Sequence, residues 1–250
     1  MLKRERQEYI FRKLNLHNRV LSNDLSLEMG VSEDTIRRDL NELAELGKLM
    51  KVHGGALSRS FHSSFLRADT DIYQLNEKRI IAAKVLPHIK DGMFILTTGG
   101  TTVIEMARML PENLNATFIT ASIPAAYEYS HHPNIELIFI GGKVSKNSQI
   151  SIGGEVISSI REVYADLCIL GVNAIDVNKG VTDNDWDVVQ IKKAMMGSSK
   201  KTMVLSISEK VNSSQRLKIC SIEDIDCMVT ELDPEHELFN GYKNRKTAIL

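Results

Sequence analysis

Aromatic residues are scarce in this chain of 250 residues, at 6% with a single Trp, and there are only three Cys and five Pro. Cys168, Cys220 and Cys227 are odd in number and unevenly spaced, which excludes a disulfide framework and predicts reduced thiols in a cytoplasm. No Cys-x-x-Cys pair or His cluster offers metal ligands at a useful spacing, so no metal is expected. No apolar run approaches the ~18 residues that a membrane span needs. Met1 to Glu8 leads into no apolar stretch, so no secretory signal is visible and a cytoplasmic location is expected. Charge of one sign is also missing. Thirty-one Lys and Arg face 32 Asp and Glu, which excludes a histone-like wrapper but leaves room for a local basic patch. What remains, 43% hydrophobic and 25% charged, is the make-up of a globular protein.

Two textures follow one another. Residues 1–57 are charged and helical in period; residues 77–250 alternate short apolar strands with helices. Residues 58–76, opening with the polar run Ser58 to Ser64, read as a linker. In the first region a helix is predicted over Glu5–Leu14, with Tyr9, Ile10 and Leu14 on one face. Ser22 is predicted to cap a second helix that Gly30 ends, and Ser32 a third whose stripe is Ile36, Leu40, Leu43 and Leu46. Residues 48–55 read as a hairpin wing. Two helices about Gly30-Val31 make a helix-turn-helix, and the hairpin makes it winged.

The second region predicts a helix over Glu77–Ile89, carrying Ile80, Ile81 and Val85, and strands near 94–97, 117–120, 137–140, 167–170, 203–205 and 227–229. Helices fall between most of them, which implies a mainly parallel sheet covered on both faces. The fold class is therefore α/β: an N-terminal winged helix-turn-helix followed by a larger α/β domain.

Thr35, Arg37, Arg38 and Asn41 fall off the apolar stripe of the third helix, where Thr and the planar donor fork of Arg suit a major groove. The plain alternative is a solvated face whose Arg residues pair with Asp39 and Glu42. Residues 1–21 add six basic side chains, Lys3, Arg4, Arg6, Arg12, Lys13 and Arg19, against Glu5 and Glu8, a positive arm suited to phosphates. The second candidate is Thr97-Thr98-Gly99-Gly100-Thr101-Thr102 at a strand-to-helix turn. Its amides, hydroxyls and helix N-terminus suit an anion, although no Gly-Lys-Ser/Thr ending makes it a Walker loop. His131-His132 reads as a helix end, Trp186 as helix-start packing or pocket lining, and Met195-Met196 as core. Lys210 follows a strand end, where it can reach a phosphate as a point charge.

The segment Val31-Ser-Glu-Asp-Thr-Ile-Arg-Arg-Asp-Leu-Asn-Glu-Leu, with Gly47 to Ala56 after it, resembles the winged helix-turn-helix of the DeoR family, bacterial transcription factors that usually repress sugar-catabolic operons. The resemblance implies a double-stranded DNA operator as partner, contacted by Ser32, Thr35, Arg37, Arg38, Lys51 and His53. It also implies an effector domain that senses a sugar phosphate, and a homo-oligomer, with no cofactor and no catalytic residue. Gly100, Thr101 and Thr102 match the family's Gly-Thr-Thr and so inherit a phosphate-cradling role, and Thr98 and Gly99 of the same turn join the effector set. Gly141-Gly142 resembles its Gly-Gly turn, and Ser208-Glu209-Lys210 its Ser-Ser-Lys; Gly141, Gly142 and Lys210 join the effector set. Thr98, Asn173, Gln190 and Ile207 each stand where the family commonly has a carboxylate, which disfavours an amino sugar. The family's effector domain is similar to sugar-phosphate isomerases. The alternatives are therefore an isomerase-like enzyme, which needs a positioned base, or an effector binder that does not bind DNA.

Overall fold

A computed structural model describes residues 1–58 and 72–250. The chain divides into two units, Met1–Tyr73 and Gln74–Leu250. Most of the expected linker, residues 59–71, lies outside the described residues.

In the first unit, α1 (Lys3–His17) buries Ile10 and Leu14 one turn apart and runs longer than the periodicity predicts, ending where Asn18 turns left-handed. The strand β1 (Arg19–Leu21) has no counterpart in the sequence reading. It is followed by α2 (Ser22–Met29), α3 (Glu33–Glu45), β2 (Leu49–Val52) and β3 (Gly55–Ser58). The strands lie in the order β1-β3-β2, antiparallel, with Val20 opposite Ala56. Gly55 is obligatory, because a Cβ there would stand 1.9 Å from the Val20 carbonyl oxygen. Ser22 does not cap α2: Leu21 is the N-cap, and the Ser22 amide donates to Gly54 at 2.8 Å instead. Ser32 does cap α3, its Oγ accepting the Thr35 amide at 3.3 Å. Ile36, Leu40 and Leu43 join Ile10, Leu14, Val20, Leu25, Leu49 and Ala56 in one core. Leu46, expected on the same stripe, is exposed, because α3 ends at Glu45 and the chain turns through Gly47.

In the second unit, α4 (Leu75–Val85) tightens into a 3-10 turn over Leu86–His88, where Pro87 stops it short of Ile89. Its buried residues are Lys78, Ile81, Ala82 and Val85, spaced i, i+3, i+4, i+7, so Ile80 points to solvent rather than inward. There follow β4 (Phe94–Thr97), α5 (Thr101–Arg108), β5 (Thr117–Thr120), α6 (Ile123–Ser130) and β6 (Glu136–Phe139). A hairpin of β7 (Lys143–Ser145) and β8 (Ile150–Ile152) leads to α7 (Gly154–Arg161) and β9 (Ala165–Gly171). Then come β10 (Ala174–Asp176), β11 (Gly180–Asp183), α8 (Trp186–Gly197), β12 (Ser199–Leu205), β13 (Leu217–Cys220), β14 (Cys227–Val229) and β15 (Ala248–Ile249). One parallel sheet of seven strands, in the order β15-β14-β12-β9-β4-β5-β6, forms the centre, as the alternation of strands and helices predicts. Beside it, β10, β11 and β13 make a small antiparallel sheet that the sequence reading missed. Cys168, Cys220 and Cys227 are buried and free, and burial pushes all three thiols up.

Candidate functional site

The outward face of α3 carries Arg37 and Arg38, both exposed, with Thr35 half-buried at its start. Thr35 shares a hydrogen bond of 2.9 Å with the Ser32 hydroxyl, so the two side chains stand together at the N-terminus of the helix. Arg37 is braced by Glu33 at 3.1 Å and Asp34 at 3.6 Å on its own helix, while Arg38 makes no ion pair among the described residues. Lys51, on β2, hydrogen-bonds Asn41 of α3, and His53 is exposed in the turn between β2 and β3. Ser32, Thr35, Arg37, Arg38, Lys51 and His53 thus all belong to α3 or the wing.

The pairing of α3's Arg residues with Asp39 and Glu42 is not observed. Asp39 is buried, and both its oxygens are gripped by the Arg6 guanidinium of α1; Glu42 takes Lys3. Lys13 pairs with Glu28, and Arg4 with Glu8 on its own helix. The positive arm read from residues 1–21 is therefore largely spent inside the unit. A count of charges along the sequence does not show which of them face carboxylates in the fold.

In the second unit, parallel pairing brings Thr97 of β4 level with Ile169 of β9, and Leu205 of β12 level with Gly171, so three strand ends open on one edge. Gly100 is the N-cap of α5 and its carbonyl accepts from Ile104 at 3.0 Å, which leaves the first-turn amides of Thr101, Thr102 and Val103 as donors. Thr98 is buried and works as a clasp. Its hydroxyl donates to Gly99 at 3.2 Å and accepts the Gly171 amide at 2.9 Å. A Cβ at Gly171 would meet the Gly99 carbonyl at 3.0 Å, so the loop passes close over β9.

Lys210 lies in a 3-10 turn after β12 and donates to the Val172 carbonyl at 2.9 Å, just beyond β9. Burial, with the neighbouring Lys78 and Lys192 ammoniums, pushes its pKa down to about 7, against the pull of Asp183. Burial likewise lowers Lys78 to about 8, opposed by Glu105 and Glu77. Lys192 forms a buried ion pair of 2.8 Å with Asp183. Asp183 also accepts from Asn173 at 2.8 Å and from the Asn184 amide at 2.7 Å. Burial raises this carboxyl, but Lys192 and those hydrogen bonds outweigh it and hold it below its ordinary value. A carboxylate is therefore present beside Asn173, supplied from β11. Thr98 is occupied as a clasp, and Ile207 is buried.

Gly141 and Gly142 follow β6, two strands from β4 and four from β12, so at ~4.8 Å per strand they lie some 20 Å from the Lys210 side. A Cβ at Gly142 would meet Val156 at 2.7 Å, a packing reason for that glycine. His131 caps α6 and bonds the Tyr127 carbonyl at 2.7 Å, while His132 bonds that of Pro111 at 2.9 Å. Trp186 opens α8 and is exposed. Among the described residues no three His, Cys, Asp or Glu gather as metal ligands, and no helix is long and apolar enough to cross a membrane. Lys78, Lys192 and Asp183 were absent from the sequence-derived site.

Comparison with known proteins bears on both units. The family description "DeoR-like helix-turn-helix domain" matches residues 6–61, and "DeoR C terminal sensor domain" matches residues 73–232. The chain is 32% identical to the uncharacterised HTH-type transcriptional regulator YulB of Bacillus subtilis, over 94% of this chain and 92% of that one. It is 30% identical to a putative aga operon transcriptional repressor of Escherichia coli O157:H7, over 98% and 93%. A glycerol-3-phosphate regulon repressor of Haemophilus influenzae is 28% identical over 98% and 95%.

Proposed function

The chain belongs to the DeoR family of helix-turn-helix transcriptional regulators, and from that premise we propose that it represses a sugar-catabolic operon under the control of a phosphorylated sugar. In this reading Thr35, Arg37 and Arg38 enter the major groove of an operator, while Ser32, Lys51 and His53 meet its flanking phosphates. One winged helix reads only a few base pairs, so a two-fold homo-oligomer on a palindromic site belongs to the same reading. The protein acts in the cytoplasm.

The observation that carries the sensor half is the gathering of Lys78, Lys192 and Lys210, with Asp183 paired to Lys192 and with Glu105 and Glu77 acting on Lys78. Mutually repelling ammoniums in a partly dry site favour a bound anion. A phosphate monoester brings nearly two negative charges and three acceptor oxygens, and the amides and hydroxyls of Thr101 and Thr102 supply further donors. The resemblance of the relatives extends to a glycerol-3-phosphate regulon repressor, which suits that ligand class. Catalysis is not part of the reading. An isomerase needs a base able to take a proton beside a carbonyl, whereas Asp183 is saturated by Lys192, Asn173 and backbone amides.

A mobility-shift titration on DNA upstream of the genes beside this one tests the proposal. A sequence-specific complex that responds to a sugar phosphate and ignores its unphosphorylated parent is expected. Equal affinity for operator and random DNA, or indifference to every sugar phosphate, would overturn it.

A further inference from the structure

The two edges of the central sheet are unlike. β15 contributes two residues, Ala248 and Ile249, too short to template another strand. β6 is different: Ile138 and Phe139 are both 42% exposed, and Leu137 is half-buried. None of Leu137, Ile138 and Phe139 is charged or Pro, the usual devices that keep an edge from pairing.

The register decides which backbone groups are available. The Glu136 and Ile140 amides donate inward, to Ala116 at 3.0 Å and Thr120 at 2.9 Å. In a parallel ladder alternate residues bond to the same neighbour, so Ile138 also faces β5 while the N–H and C=O groups of Leu137 and Phe139 point away from the sheet. Among the described residues nothing pairs with that outer edge.

We propose that β6 is the seam of a two-fold homodimer, pairing antiparallel with β6 of a second copy about Ile138. This rests on the homo-oligomer in the function proposed above and names its surface. In that register Leu137 of each copy is opposite Phe139 of the other, and each pair exchanges two N–H···O=C bonds, so every outward group is satisfied. Side chains agree with the backbone. Leu137 meets Phe139 on one face, and Ile138 meets its own counterpart on the other, both apolar cross-strand pairs. Charge selects the same arrangement. Glu136 opens the strand, and the exposed Lys143 and Lys146 follow it, so antiparallel pairing turns the acidic end of one copy toward the basic end of the other. A parallel pairing would stack like on like.

The self-opposed Ile138 gives a sharp test. Its position is a non-hydrogen-bonded pair with Cα atoms about 4.5 Å apart, within disulfide range. The native cysteines are buried and do not interfere. The full chain carrying Ile138→Cys is oxidised beside a Tyr164→Cys control, whose side chain is 89% exposed just before β9, three strands from β6, and both are run on non-reducing gels. Sedimentation equilibrium at micromolar concentration is run on the wild type and on Ile138→Lys, a substitution an exposed site tolerates. The expected result is a dimeric wild type, rapid cross-linking of I138C alone, and at least a tenfold weaker association of I138K. A dimeric wild type whose I138C cross-links no faster than Y164C overturns the seam and leaves the homo-oligomer standing. A monomeric wild type overturns both.

Discussion

Arg6 on α1 and Asp39 on α3 form a two-point, almost dry salt bridge inside the first unit, with side-chain exposures of 12% and 3%. The bidentate fork fixes the rotation of α3 about its axis, and so decides that Arg37 and Arg38 face outward. Asp39→Ala would strand a guanidinium and is expected to cost about 3–5 kcal/mol of stability, read as a lowered urea midpoint. Arg6→Ala is expected to do the same. Were Arg6 instead a phosphate contact, R6A would leave stability unchanged and lower the salt dependence of DNA binding by about one unit of slope.

Arg38→Ala is expected to weaken operator binding by about 1–3 kcal/mol while leaving the urea midpoint in place. Arg37→Ala should cost no more than that, because Glu33 and Asp34 already hold its guanidinium. Fluorescence anisotropy at fixed salt, with operator and scrambled duplexes, checks both. Unaltered affinity in the double variant would remove α3 from the reading role.

Lys210→Met should abolish the response to a sugar phosphate without loss of the fold. The group is costly when charged: its pKa is about 7 in the folded chain and near 10.4 in an unfolded one. Below pH 7 the folded state carries the full cost of the charge, and stability recovers as pH rises from about 7 toward 10. Lys210→Met should therefore raise thermal stability at pH 6 and lose that advantage by pH 10, which a set of melting curves would show.

The same group links binding to protons. A phosphate needs Lys210 charged, so binding should take up protons at pH 8 and weaken as pH rises above 7, by up to tenfold per unit. Calorimetry in two buffers of different ionisation heat measures the uptake. Binding independent of pH between 7 and 9 would contradict the assignment.

Gly171→Ala is expected to push the Gly99 carbonyl away from β9 and loosen the Thr98 clasp. The cost in stability should be about 1–3 kcal/mol, the usual range for an overfilled contact. Effector affinity should fall further than the same loss of stability produces at Leu96→Ala, a buried core position within β4. Equal effects would mean that the clasp does not shape the site.

The elements were legible where the pattern is plain: α3, with an apolar stripe, a polar face and its Ser32 cap, and β4, β5 and β14 to the residue, as short apolar runs buried in a covered parallel sheet. β1, β10 and β13 were not, because Arg19, Asp176 and Lys218 break up what would otherwise be short apolar runs. The site was half legible. Its glycine and threonine turn reads from local chemistry, but Lys78, Lys192 and Asp183 come together only through the fold. A signal was nevertheless present. Asp39, Lys78 and Lys192 each interrupt a buried helical stripe, beside Ile36 and Leu40, Ile81 and Ala82, and Ile191 and Met195. A charge on an apolar stripe must find a partner or a ligand, and neither Lys78 nor Lys192 was singled out on that ground.

The crowding of Lys78, Lys192 and Lys210 also bears on how long the protein lasts. An empty sensor keeps its ammoniums in mutual repulsion, so the unit that holds them is at its weakest when no effector is present. Occupancy at a hundred times the dissociation constant adds about 2.7 kcal/mol to that unit. Proteases act on the opened chain, so the filled form should be degraded more slowly than the empty one. The metabolite would then set the regulator's abundance as well as its grip on DNA, and a fall in supply would shorten the regulator's half-life.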